Sequence, residues 1–405
     1  MQKQALEGLK VIGFTYAGVG NRVLRTLAEY GATVVIVESI TRPNNLRLAG
    51  PFKDDIRGIN RSGYFAYSNH NKYSIALNIK HPRSVEVTKR LVSWTDILVE
   101  NFAPGAIARW NLSYEDVKKI NPSIIMVSLS SQGQTGPHSL MPGYGPNIQG
   151  LSGFVHLTGW PDRGPDLVDR SYPDFIAPRF GLVAILAALD HRRRTGKGQY
   201  IDISEYENCV QFLTPVMLNY TVNRVIQTRK GNKSPYAAPH GAYRCSGDDR
   251  WCVITVLTDA QWEAFCRAIG NPAWTNELRF STLLGRKKCE DELDQLVEQW
   301  TVNHTAEKVM TTMQEVGVPA GVVRGCEDTY ENCPQLEHRQ YFTRLNHEEM
   351  GEYPYPRASY ILSKTPAQLR MPAPGLGEHT EYVCKELLSM PEGEFVSLLL
   401  DEVFE

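Results

Sequence analysis

The amino-acid sequence predicts a doubly wound, Rossmann-like α/β fold carrying a smaller α+β domain. Three observations predict it. Short apolar runs alternate with helix-period segments through the first 130 residues, which is the pattern of parallel strands covered by helices on both faces. A stretch rich in Gly, Pro, Ser and Asp at 131–176 then leads into a strongly periodic helix at 179–194. Around 225–240 the composition turns polar before a second group of strand and helix signals. These shifts set a large domain at 1–224, a small α+β domain at 225–325, and a C-terminal return to the large domain at 326–405.

Taken in order, residues 10–14 (KVIGF) read as a buried strand and 21–30 as a helix closed by Gly31. Residues 34–38 (VVIVE) form a second buried strand, and 73–79 alternate like a strand. A helix at 82–93, a strand at 96–100, a helix near 114–119 and a strand at 123–129 follow. The helix at 179–194 repeats Phe180, Val183, Leu186 and Leu189 on one face. It closes with Arg192, Arg193 and Arg194 at the negative end of its dipole, and Gly196 suits the C-cap. Residues 200–204 (YIDIS) return as a strand. In the small domain, strands near 241–245 and 251–257 precede helices near 259–269, 286–302 and 305–315.

With 43 basic and 45 acidic residues the net charge is −2. No global field favours nucleic acid or a membrane, so anion affinity must be local. The N-terminus lacks the pattern of a signal peptide. No run of about 18 apolar residues is apparent, so no membrane span is expected. All eight cysteines lie after residue 208 without CxxC spacing or a neighbouring His cluster. Buried reduced thiols in a cytoplasmic protein, with neither a disulfide framework nor a bound metal, are the expectation.

Four segments carry chemistry. Gly18-Val19-Gly20, with Glu38 ending the second strand, imitates a dinucleotide fingerprint, but Val23 stands where close helix packing needs Gly or Ala. A glycine turn entering a helix is the plainer reading, and its N–H groups still favour an anion. Asn101 to Ala106, followed by Arg109, leaves the ligand-bearing edge of the sheet, and a guanidinium there suits a phosphate, though a solvated surface arginine is the commoner reading. Asn69 to Ser74, with Lys72 and Tyr73, is polar enough to grip a nucleotide, with a plain loop the commoner reading; His70 has no visible nucleophile to serve. Asp174 stands just ahead of the apolar helix. An aspartate there is ordinarily an N-cap, yet the same positive helix end favours an ionised carboxylate able to attack an activated carbonyl.

The ordered motifs LEGLKVIGFT (6–15), NKYSIALNIK (71–80), VENFAPGAIARWNL (99–112), SSQGQTGP (130–137), HRRRTGKGQYIDIS (191–204), GVPAG (317–321) and PGLGEHT (374–380) resemble the class III coenzyme A transferases. That family includes formyl-CoA, carnitine and aromatic-acid CoA-transferases. The resemblance implies CoA transfer from an acyl-CoA to a free carboxylic acid, with Asp174 as covalent nucleophile and no metal. It implies CoA contacts at Asn101 and Arg109, and more loosely at Lys72, Tyr73 and Arg42. It also implies an interlocked-ring homodimer in which one chain's small domain caps the other's site, or a heteromer with a paralogous subunit. The chain departs from the family at Val19-Gly20-Asn21, where Ala-Gly-Pro is usual, with Arg22 next. Gly18 replaces a glutamine found in one subgroup, which suggests open space for a bulkier acid. Racemases of the same superfamily carry a histidine at the place of Tyr144; tyrosine is transferase-like, because exchange of an α-proton needs a second base.

Overall fold

The computed structural model describes residues 4–169 and 171–405. Two compact units emerge. The larger comprises residues 1–157, 166–227 and 337–405, and the smaller comprises 158–165 and 228–336.

The larger unit is built on six parallel strands: β1 (Lys10–Phe14), β2 (Thr33–Glu38), β3 (Tyr73–Ala76), β4 (Ile97–Glu100), β5 (Ile125–Ser130) and β6 (Tyr200–Ser204). They lie in the order β3-β2-β1-β4-β5-β6. Every residue of β4 and β5 is buried, as expected of central strands covered on both faces. Alternate residues feed two separate cores. On one face Val11, Ile97, Val99 and Val127 pack with Val23, Leu24 and Leu27 of the helix Gly18–Glu29 and with Ala177 and Ile185 of the helix Tyr172–Thr195. On the other, Ile12, Leu98 and Met126 meet Val87 and Leu91 of the helix Ser84–Trp94 and the C-terminal Phe395, Leu398 and Phe404. Strand order reverses between β1 and β4, so their carboxyl ends splay apart and leave a crevice.

The long helix departs from its expected limits. It begins at Tyr172 rather than 179 and contains Pro178. Proline in a helix interior normally marks a break, which hid the first two turns from periodicity. By length and composition this helix would also pass as a membrane span, against the expectation of no such stretch. Its buried face belongs to the core just described.

The smaller unit has the antiparallel strands β7 (His240–Arg244), β8 (Trp251–Thr255) and β9 (Ala320–Val322). They pack with Trp262, Phe265, Leu293, Val297 and Met313 from its helices. The helix expected over 286–302 is two, Leu283–Lys288 and Glu290–Thr301. A hairpin, β10 (Phe342–His347) with β11 (Gly351–Pro356), belongs to the larger unit. All eight cysteines are free, five of them buried.

Candidate active site

A cavity of about 330 Å³ opens at the crevice between β1 and β4. Its wall is made by the loops that leave four strands: Tyr16 to Val19 after β1, Asn101 to Pro104 after β4, Ser130 and Ser131 at the end of β5, and Glu205 after β6. Leu140, Met141 and Tyr144 supply an exposed apolar side.

Four helices begin at this wall: Gly18–Glu29, Gly145–Ser152, Tyr172–Thr195 and Glu205–Phe212 contribute Gly18, Gly145, Asp174 and Glu205 from their first turns. Each carries positive partial charge at its start. A chain with no net positive charge thereby gains a local site for anions. The Gly18 helix has no side-chain cap and no acidic residue in its first turn, so its leading N–H groups stay available. The turn before it is strained: Ala17 has φ 68° and ψ −156°, a region that costs about 1–3 kcal/mol for a residue with a Cβ. Asn21 helps hold it, donating through Nδ2 to the Ala17 carbonyl at 2.6 Å.

Asp174 lies at the third position of its helix, past the N-cap, which is Ser171. Burial raises its carboxyl above the ordinary aspartate value, and the Arg22 guanidinium pulls against that rise. Arg22 Nη1 sits 3.6 Å from Asp174 Oδ2. Glu205 faces the same cavity. Burial first, then the Asp174 charge, push its carboxyl up to about 8, and its Oε2 has no hydrogen-bond partner among the described residues. At neutral pH one carboxyl of the pair is therefore uncharged.

The other sequence-derived residues divide clearly. Asn101 lines the cavity, but its amide is spent on Tyr16, accepting from N at 2.8 Å and donating to O at 2.6 Å; it clamps the β1 loop to the β4 loop. Arg109 is exposed in the turn Ile107–Trp110 beyond that loop, outside the cavity wall. Arg42 is exposed in the loop after β2. Lys72 is not brought to the cavity. It is fully buried, and Nζ donates to Asn21 O, Ser68 O and Asn69 Oδ1 at 2.8–2.9 Å. All three of its protons are taken, so it is a structural tie rather than a phosphate ligand. Tyr73 packs its ring on His379 and Tyr382, each 5.1 Å away.

Gly18 lines the cavity, but the expected empty space is absent. A Cβ there would overlap Arg22 Nη1 and lie 2.6 Å from Asp174 Oδ2; the missing side chain makes room for the guanidinium. Arg22 and Glu205 are the site groups that sequence reasoning passed over. Arg22 was visible only as the residue after the departing Val19-Gly20-Asn21 stretch, and Glu205, directly after the strand YIDIS, drew no reading. Glu38, the acid of the dinucleotide pattern, is held by Arg47 through two bonds of 2.8 and 2.7 Å and by Ser74 Oγ, leaving little for a ribose. His70 is buried against Glu29 at 2.8 Å. Among the described residues no group of three His, Cys, Asp or Glu side chains could hold a metal.

A sequence profile described as CoA-transferase family III matches residues 6–380. The succinyl-CoA–D-citramalate CoA-transferase of Chloroflexus aurantiacus is 32% identical over 92% of this chain and 91% of its own. The succinyl-CoA–L-malate CoA-transferase beta subunit of the same organism is 30% identical over 95% and 94%. Among solved structures, a CAIB/BAIF family protein from Brucella suis superposes with a TM-score of 0.87 at 30% identity, covering 95% of this chain and 100% of that one.

Proposed function

The chain belongs to CoA-transferase family III, and on that footing we propose that it moves CoA from a succinyl-CoA-type donor to a second carboxylic acid through covalent intermediates on Asp174. It is an enzyme of CoA thioesters; the donor preference is proposed from the relatives' substrates, and the covalent route from the family resemblance, which the placement of Asp174 in the cavity supports. The carrying observation is a desolvated carboxylate on the cavity wall beside the uncapped first turn of the Gly18 helix.

The chemistry balances without ATP or metal. The Asp174 carboxylate attacks the donor thioester carbonyl, the C–S bond breaks, and CoA thiolate leaves behind a mixed anhydride. The thiolate then attacks the aspartyl carbonyl, expelling the donor acid as its carboxylate and leaving an aspartyl-CoA thioester. The acceptor carboxylate attacks that thioester, forming a second anhydride and releasing thiolate. Attack of the thiolate on the acceptor carbonyl yields the new acyl-CoA and restores Asp174. Each tetrahedral oxyanion would be met by the N–H groups of Gly18, Val19 and Gly20, which cost no reorganisation at the moment of reaction. Exposed Arg109 and Arg42 are proposed for the CoA phosphates, the long-range end of the ligand. We further propose a cytoplasmic, interlocked homodimer as the working assembly, with pairing to a paralogous subunit as the alternative.

The test is interception. Incubation with succinyl-CoA and hydroxylamine should convert Asp174 to its hydroxamate and inactivate the enzyme only when donor is present, with mass spectrometry of the peptide locating it. Asp174→Asn should lose transfer by orders of magnitude. A racemase would never acylate this aspartate, and labelling elsewhere would return Asp174 to a helix-start role.

A further inference from the structure

Arg22 is a buried cation with most of its hydrogen-bonding capacity unspent. Its side chain is only 7% exposed. A guanidinium offers five N–H donors. Nη2 donates to Tyr64 Oη at 3.1 Å. Nη1 reaches the Asp174 carbonyl only at 3.5 Å and its Oδ2 at 3.6 Å, and Nε has no partner among the described residues. Buried donors left unmade cost about 1–3 kcal/mol each, so such a group implies an acceptor that arrives with the substrate.

The surroundings hold the guanidinium in place rather than letting it drift to water. Its Cζ lies 3.9 Å from the Phe175 ring centroid and 5.6 Å from that of Tyr64, stabilising the cation from two sides. Gly18 clears the space for Nη1 at the cavity wall. Pro178 stands four residues after Asp174 inside the same helix. It has no N–H, so the Asp174 carbonyl lacks its intrahelical donor and is left facing Arg22.

The charge balance gives this arrangement a purpose. In the resting site the Asp174 carboxylate offsets Arg22, while Glu205 is uncharged. Acylation turns Asp174 into a neutral anhydride or thioester, and the buried guanidinium loses its anion. At the thioester stage one carboxylate is free, the donor acid just expelled or the acceptor acid about to attack; at the anhydride stages the free anion is the CoA thiolate. We propose that Arg22 binds the carboxylate of the free acid beside acylated Asp174, serving as a counter-ion that passes from the nucleophile to the substrate. The inference rests on the covalent reading above. It makes Arg22 the acid-binding residue of the second half-reaction, and it makes the resting enzyme a poor receptor for free acid, because Asp174 already occupies the cation.

Isotope exchange of labelled succinate into succinyl-CoA tests this without knowledge of the acceptor. Arg22→Lys keeps the charge but loses the planar fork. It should raise the KM for succinate about 10-fold or more, leave that for succinyl-CoA within about 3-fold, and still give donor-dependent hydroxamate at Asp174. In Arg22→Ala, added guanidinium ion should restore part of the exchange. Succinate affinity that is unchanged in Arg22→Lys, or that falls in step with succinyl-CoA affinity, would overturn the role. If Arg22→Ala does not fold, the lysine variant alone decides. Absence of hydroxamate in the unaltered enzyme would instead strike the covalent reading itself, so the two failures are separable.

Discussion

Replacing Glu205 by Gln should stabilise the protein, and by an amount that grows with pH. The carboxyl rises from the ordinary 4.5 to about 8, driven by burial and then by the Asp174 charge. An acid raised on folding holds its proton in the native state at pH values where the unfolded chain has lost it. Native stability is therefore unaffected below 4.5 and falls as pH rises from 4.5 to about 8. One proton gives a slope of about 1.4 kcal/mol per pH unit, so the cost reaches roughly 3 kcal/mol at pH 7. Glutamine carries no such cost. Urea midpoints for both proteins at pH 5, 6, 7 and 8 would measure it: the curves should nearly meet at pH 5 and diverge upward, with the variant more stable. A difference independent of pH, or a parent protein that gains stability through Glu205 as pH rises, would show that this carboxyl is ionised and paired, and would remove the neutral partner assigned to it here.

Two further outcomes bear on the proposed function. Arg109→Ala should raise the KM for succinyl-CoA by about 10-fold while kcat holds, as for contacts made equally in ground and transition states; steady-state kinetics showing an unchanged KM would make Arg109 a surface arginine only. Threaded chains cannot part by dilution alone, so native mass should remain that of a dimer at nanomolar concentration, and an active monomer would refute the interlocked assembly.

The parallel sheet was legible because its central strands are buried on both faces and so read as unbroken apolar runs, as in VVIVE and SIIMVSL. Edge pieces were harder. Strand β9 is three half-buried residues and carries no usable period. The region 131–176 looked irregular, yet it contains the helix Gly145–Ser152 and the start of the Tyr172 helix; glycine and proline at functional positions obscure helical signals there. Asp174 was singled out through the resemblance to the CoA-transferases, since an aspartate near the start of an apolar helix is by itself read as a cap; the structure sets it inside the first turn, at the third helical position. Lys72 was misjudged because a lysine in a polar run reads as exposed, and only the tertiary fold shows Asn21, Ser68 and Asn69 closing around it.

Arg22 shows why the most consequential part of the site was invisible in one dimension. Three features at separate places in the chain each look like a local fault: a glycine at a helix start, an arginine on a buried helix face, a proline inside another helix. Together they form one device. Gly18 admits the guanidinium, Pro178 frees a carbonyl toward it, and Phe175 and Tyr64 keep it there. The fourth member is Glu205. Were it ionised, the resting cluster would carry two negative charges against one positive, and loss of the Asp174 charge on acylation would leave Arg22 still paired. Because burial keeps Glu205 protonated near neutral pH, the proposed acylation of Asp174 would change the cluster from neutral to cationic. That single charge is what a carboxylate substrate can sense in a site it must otherwise share with an anionic nucleophile, so the raised carboxyl and the unspent guanidinium are two parts of the same adjustment.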